Sequence, residues 1–351
     1  MTAQQLSPTK AALLKAGTVI PAHPLALTAD RELDEEHQRL LTRYYIAAGA
    51  GGVAVGVHST QFAIRDPKVN LYESVLRLAA EEIEASKKSD TFISVAGLCG
   101  DMDQALAEAA IARQYNYDLG LLSMGGLPEK SEKELLDRTR AVAEVIPVFG
   151  FYLQPSVGGR IFSYDFWKEF AEIPNVCAIK AAPFNRYQTL DLVRAVCHSS
   201  RCDAITLYTG NDDNIVADLL TTYEFEVDGR MVQKRFEGGL LGHWAVWTHA
   251  AVRLLEEVKQ CRDNGYRGAA DLLAQGVAIT DMNAAVFDPA NGFHGCIPGI
   301  HEVLRRQGLM KGIWCLDPEE TLSPGQAEEI TRVCKAYPEL TDDDFVREFL
   351  A

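Results

Sequence analysis

Along the chain, short runs that are apolar at nearly every position alternate with longer stretches whose apolar residues recur every three or four positions. TVIPAHPLAL (18–27) precedes LDEEHQRLLTRYYIAAG, where Leu33, Leu40, Leu41, Tyr44 and Tyr45 repeat at helical spacing. GGVAVGV (51–57), TFISVAGLCG (91–100), YDLGLLSM (117–124), VIPVFGFYL (145–153), NVCAIKAA (175–182), DAITLYTG (203–210) and GLLGHWAVW (239–247) follow, each with an amphipathic stretch behind it. Strands apolar on both faces belong to a parallel sheet covered by helices, and eight strand–helix pairs predict an α/β fold of the (β/α)8 TIM-barrel type. An open doubly wound sheet is the rival architecture, but no GxGxxG follows the first strand.

Two segments exceed the minimal barrel. EFEVDGRMVQKRFEGG (224–239) alternates around Asp228-Gly229, a two-residue hairpin signal, and reads as an insertion in the seventh crossover. Residues 264–351 read as a helical extension packed on the side of a barrel formed by residues 1–263, with no Gly/Ser/Pro-rich linker between them.

Composition then narrows the function. With 351 residues, 47% hydrophobic and 24% charged, the chain suits a globular protein, and a formal charge of −15 repels phosphate backbones, so no nucleic-acid partner is expected. No run of about 18 apolar residues offers a membrane span. The eight cysteines show no CxxC pair or zinc-type spacing, which predicts reduced thiols; no signal-like N-terminus is seen, so a cytoplasmic location is expected, and neither a metal nor another cofactor is expected.

One residue breaks the pattern. Lys180 closes the apolar run of the sixth strand, where an ammonium loses hydration unless it is paired. In a (β/α)8 barrel the C-terminal strand ends carry the chemistry, and burial lowers a lysine's pKa, leaving neutral amine to attack a ketone. Tyr152, at the same end of the fifth strand, offers a phenol for proton transfer. The alternative is equally open at this point: Lys180 pointing outward to a carboxylate, and Tyr152 bonded to a backbone carbonyl.

VIPAHPLALTADRELDEE, FYLQPSVGG, EIPNVCAIKAA and ITLYTGNDD, in their order along the chain, resemble segments of the dihydrodipicolinate synthase and N-acetylneuraminate lyase family of class I aldolases and lyases. The resemblance covers most of residues 18–215, and the 28 residues from Tyr152 to Lys180 equal that family's spacing from tyrosine to lysine. It implies a Schiff base on Lys180 with pyruvate or another 2-keto acid, Tyr152 as proton shuttle, Gly210 beside the substrate, and a homo-oligomer, dimer or tetramer. The partners implied are a 2-keto acid with an aldehyde, or a deoxy sugar acid, for aldol cleavage, condensation or dehydration. A protein that binds a keto acid without turnover, and a metal-dependent aldolase on the same fold, are the other readings.

The chain departs from the family after the second strand. GVHSTQ stands where the family has GTTGE, so Val57 replaces the threonine that hands protons to the tyrosine. The turn at His58, Ser59 and Thr60 can still hold a carboxylate through backbone N–H groups, and His58 is either a new acid or base or a hydrogen-bonded wall residue. Arg160 is the candidate to grip a second carboxylate, since Val157 occupies the synthase's arginine position. The loop after the fourth strand, SMGGLPEK, lacks the interface tyrosine. These losses argue against dihydrodipicolinate synthesis. In the eighth strand, Trp244 is a candidate pocket wall, while His23 and His243 could face the barrel mouth. Asn211, Asp212 and Asp213 are expected to cap the seventh helix.

Overall fold

In the computed structural model, which describes residues 4–351, the short apolar runs form β1 (Val19–Pro21), β2 (Gly52–Val55), β3 (Ile93–Leu98), β4 (Leu119–Leu122), β5 (Val148–Leu153), β6 (Val176–Ala182), β7 (Thr206–Thr209), β8 (Thr222–Val227) and β9 (Arg230–Leu241). All but β8 are parallel neighbours in the order β1-β9-β7-β6-β5-β4-β3-β2. Closure comes from the Ala22–Ala54 bridge and the His23 N–H, which donates to the Ala54 carbonyl at 2.8 Å. The fold is a (β/α)8 barrel.

Helix α1 (Pro8–Ala16) precedes the barrel. An outer ring follows: α2 (Glu35–Ala47), α3 (Tyr72–Ala85), α4 (Met102–Gln114), α5 (Glu132–Ala143), α6 (Tyr164–Glu172), α7 (Arg186–Cys197), α8 (Ile215–Leu220) and α9 (Thr248–Asp263). After these come α10 (Ala269–Phe287), α11 (Cys296–Arg306), α12 (Gln326–Ala336) and α13 (Asp343–Leu350). Because side chains alternate along a strand, each barrel strand feeds two cores. Phe149, Phe151, Leu153, Ala178, Ala182 and Tyr208 fill the interior, whereas Tyr152, Ile179, Ala181 and Leu207 pack outward on the helices. Leu14 of α1 joins the interior core at the base of the barrel, where Lys10 Nζ lies 2.7 Å from both Asp118 oxygens.

Three expectations change. The eighth barrel strand ends at Leu241, and His243–Ala245 forms a 3-10 turn instead of continuing the strand, because the chain must bend into α9. The hairpin around Asp228-Gly229 is not a separate insertion: its second strand runs on as the eighth barrel strand. Both turn residues have positive φ (49° and 75°), as a tight hairpin between right-twisted strands requires. The C-terminal helices do more than pack on the barrel's side, since α10, α11 and the loop between them reach the mouth.

Candidate active site

At the C-terminal mouth of the barrel lies a pocket of about 650 Å³, open volume at its entrance included, with Lys180 in its wall. Side chains at Ala178, Lys180 and Ala182 share the inward face of β6, so alternation alone aims the lysine inside. Only 8% exposed, its amine is pushed down to about 8 by burial, against which the Asp212 charge favours the ammonium. Nζ sits 4.5 Å from the centre of the Phe151 ring. Gly210 makes room for the stem: a Cβ there would come within 2.4 Å of Lys180 Cε.

Asp212 faces the same space from the β7 end. Burial raises its carboxyl to about 7, against hydrogen bonds from backbone N–H groups, of which His243 N–H donates at 2.9 Å. The segment is held by its neighbour Asn211, fully buried, whose amide donates to Asp218 at 2.9 Å and whose carbonyl oxygen accepts the Phe184 N–H at 3.0 Å. Lysine and carboxyl therefore titrate near neutrality in one cavity. Such a pair can exchange protons at little cost, as general acid–base work requires.

On the opposite wall, the chain leaves β2 through Gly56 (φ 74°) into a 3-10 turn at His58–Thr60. The Thr60 hydroxyl accepts the N–H groups of Gly56 and Val57 at 3.0 and 3.2 Å and donates to the His23 carbonyl at 2.6 Å. Thr60 is thus an internal pin, while Val57, His58 and Ser59 line the pocket. Burial and the Lys180 charge lower His58 to about 4, so its imidazole is neutral at pH 7. The Ser59 hydroxyl donates to the Ala22 carbonyl at 2.9 Å.

No family model matches the chain. Over 205 residues, 58% of this chain, it is 28% identical to an N-acetylneuraminate lyase from Citrobacter koseri, a match spanning 65% of that relative and so just under two thirds of its length. Among solved structures, dihydrodipicolinate synthase from Oceanobacillus iheyensis superposes with a TM-score of 0.72 at 16% identity, over 93% of this chain and 99% of the other. A prophage protein of the dihydrodipicolinic acid synthase family from E. coli K12, in complex with pyruvate, gives 0.71 at 19% identity, over 92% and 97%. The chain is thus similar in sequence to N-acetylneuraminate lyases and shares the fold of dihydrodipicolinate synthase structures.

Against the family pattern, the largest departure is Tyr152. Its ring packs outward against Trp167 and Phe162, and its hydroxyl meets the Phe162 N–H at 3.5 Å. The cause is a register shift. Val148 pairs with Val176, 28 residues on, but Phe149 pairs with Ala178, because Cys177 is an extra residue in β6. Beyond that bulge the offset is 29, so Lys180 pairs with Phe151 and Tyr152 with the outward Ala181. A one-residue slip moves a side chain to the other face.

Other candidates also fall outside. Arg160 Nη1 donates to the Lys130 carbonyl at 2.7 Å with its guanidinium beside the Phe162 ring, so Gln154 and Val157 are what that loop contributes to the pocket. Trp244 is fully buried in the outer core, since the turn at 243–245 swings it away from the mouth. His23 is enclosed, with Nε2 2.9 Å from Thr42 Oγ1 and Nδ1 2.8 Å from the Pro24 carbonyl. His243 is buried beside Trp247 and reaches the site only through its backbone.

Sequence reading missed Asp212, Phe151 and the C-terminal wall. An acidic residue directly after a barrel strand was the available signal for Asp212, whereas the helix that follows is preceded by Asn214. Among the described residues, the one His/Cys/Asp/Glu group close enough to share an ion is Asp34, Glu36 and His37. It lies outside the pocket, and Lys311 Nζ is 3.2 Å from Asp34.

Proposed function

We propose that this protein is a class I lyase in which Lys180 forms a Schiff base with pyruvate or another 2-keto acid, for aldol cleavage or condensation. The observation that carries the reading is a lysine buried in the pocket with an amine held near pH 8. At pH 7.4 roughly a fifth of it is neutral, against roughly one part in a thousand for an ordinary lysine. Sequence similarity to two N-acetylneuraminate lyases supports the same reading.

In this mechanism the amine adds to the 2-keto carbon, and the carbinolamine loses its oxygen as water to leave a protonated imine. In the cleavage direction a base takes the proton of the C4 hydroxyl, the C3–C4 bond breaks, and its electrons pass to the iminium as an enamine while an aldehyde leaves. Protonation at C3 and attack of water then return pyruvate and the free amine. With Tyr152 turned outward, Asp212 is the proton carrier, since a carboxyl near pH 7 can both accept and return a proton. The keto acid's carboxylate is assigned to the His58–Ser59 turn. Loss of the synthase's arginine and interface tyrosine argues for a product other than dihydrodipicolinate.

The test is incubation with pyruvate and borohydride, followed by peptide mass spectrometry. A reduced pyruvyl adduct on the peptide carrying Lys180, absent in Lys180→Ala, is the expected result. An intact, folded protein that yields no adduct with pyruvate or larger keto acids refutes the mechanism.

A further inference from the structure

The keto-acid end of the pocket uses His58, Ser59, Lys180 and Asp212, and the other end is built differently. Leu153, Val157, Phe184, Phe287, Phe293 and Ile300 give it a mainly apolar wall in which, among the described residues, Gln154 is the one polar side chain, Phe184 coming from the β6–α7 loop and the last three from α10, the α10–α11 loop and α11. Phe184 and Phe293 meet edge to face across this junction, with ring centres 6.1 Å apart. Both hold positive φ (51° and 67°), a conformation that bulky residues adopt only when the surroundings impose it.

Those surroundings are visible. The Phe184 N–H is fixed by Asn211. The Phe293 N–H donates to the Asp288 carbonyl at 3.0 Å, and the buried Asp288 carboxylate accepts the Gly295 N–H and the hydroxyl of Ser323. A polar network in the C-terminal extension thus presents a phenyl ring to the barrel mouth. Strain of this kind, clustered at a pocket, is a sign of function.

We infer that the outer half of this pocket selects a substrate carrying an apolar ring or branched chain beyond its keto-acid end, and excludes polyhydroxylated sugar acids. The inference rests on the Schiff-base reading for the placement of the keto acid, and on the wall for the rest. Each substrate hydroxyl buried against Phe or Ile without a partner weakens binding by roughly five- to a hundredfold. A ring buried there instead gains by roughly tenfold or more.

Condensation with pyruvate is measured for benzaldehyde, isobutyraldehyde and D-glyceraldehyde. The apolar aldehydes are expected to exceed glyceraldehyde about a hundredfold in kcat/KM, and equal or better use of glyceraldehyde overturns the inference. Phe293→Asn tolerates the positive φ while placing an amide in the wall. It is expected to raise KM for benzaldehyde about tenfold relative to glyceraldehyde, with Phe287→Ala as the second variant if the first does not fold. An unchanged ratio in a folded variant counts against the wall.

Failure of the Schiff base is separable from failure of this inference. Calorimetric binding of 4-phenylbutanoate against gluconate to Lys180→Ala protein reads the wall with no imine possible. Binding of the phenyl acid at least about tenfold tighter upholds the inference even if pyruvate gives no adduct with the intact protein. Equal affinities, tighter gluconate binding or no binding of either overturn it.

Discussion

Replacing Lys180 by methionine is expected to abolish imine formation and to stabilise the fold. An unfolded lysine keeps its proton up to about pH 10.5, whereas the folded one releases it at about 8. Between those values the unfolded state binds more protons, so stability rises with pH across that window, and the full penalty of holding the ammonium in the pocket is present below it. The shift corresponds to about 3 kcal/mol at pH 7.5 and about 1 kcal/mol at pH 10. Methionine fills a similar volume without a charge to desolvate. Its loss of charge does not strand Asp212, which takes up a proton more readily once the ammonium is gone. Lys180→Met should therefore be about 3 kcal/mol more stable than the parent near neutral pH, a rise in melting midpoint of roughly 4 °C for a chain of this length. Urea unfolding of both proteins at pH 7.5 and 10 measures it. A variant no more stable than the parent, or a gain that does not shrink toward pH 10, would mean that the amine is not desolvated and would remove the basis for its reactivity.

Further outcomes separate the residues in the pocket. Tyr152→Phe should leave kcat within about threefold, because the phenol faces the outer core, while Asp212→Asn should lower kcat by at least about a hundredfold, both by steady-state assay with a cleavable keto acid. In the pH profile of borohydride trapping, the rate should rise toward pH 8 as Lys180 loses its proton. Asp212→Asn should move that limb to lower pH, since the carboxylate no longer favours the ammonium; an unmoved limb would contradict the coupling. Gly210→Ala should fold with a lowered melting midpoint and trap pyruvate at least about tenfold less, because its Cβ would overlap the lysine stem.

Much of the fold was legible along the chain because each barrel strand is apolar on both faces and each helix on one, so the two periods announce the elements one by one. Lys180 stood out for the same reason, as a charge inside an apolar run. Tyr152 misled because spacing along the chain is a proxy for register only where strands pair without interruption. The extra residue at Cys177 changes the offset from 28 to 29 and hands the inward position to Phe151. Asp212 was hidden by a different ambiguity: an acidic residue between strand and helix serves equally as a cap or as a site residue, and local sequence carries no sign of which cavity it faces.

The sequence by itself determined the barrel, the polarity of its strands and the lysine at the end of the sixth, since all three follow from local hydrophobic pattern. Tertiary structure decided which neighbours that lysine has. Strand register, a one-residue bulge and the return of the C-terminal helices to the mouth bring Phe151, Asp212, His58 and Phe293 into one pocket from positions up to 235 residues apart in the chain. Those meetings depend on packing between distant elements, so no window of sequence contains them.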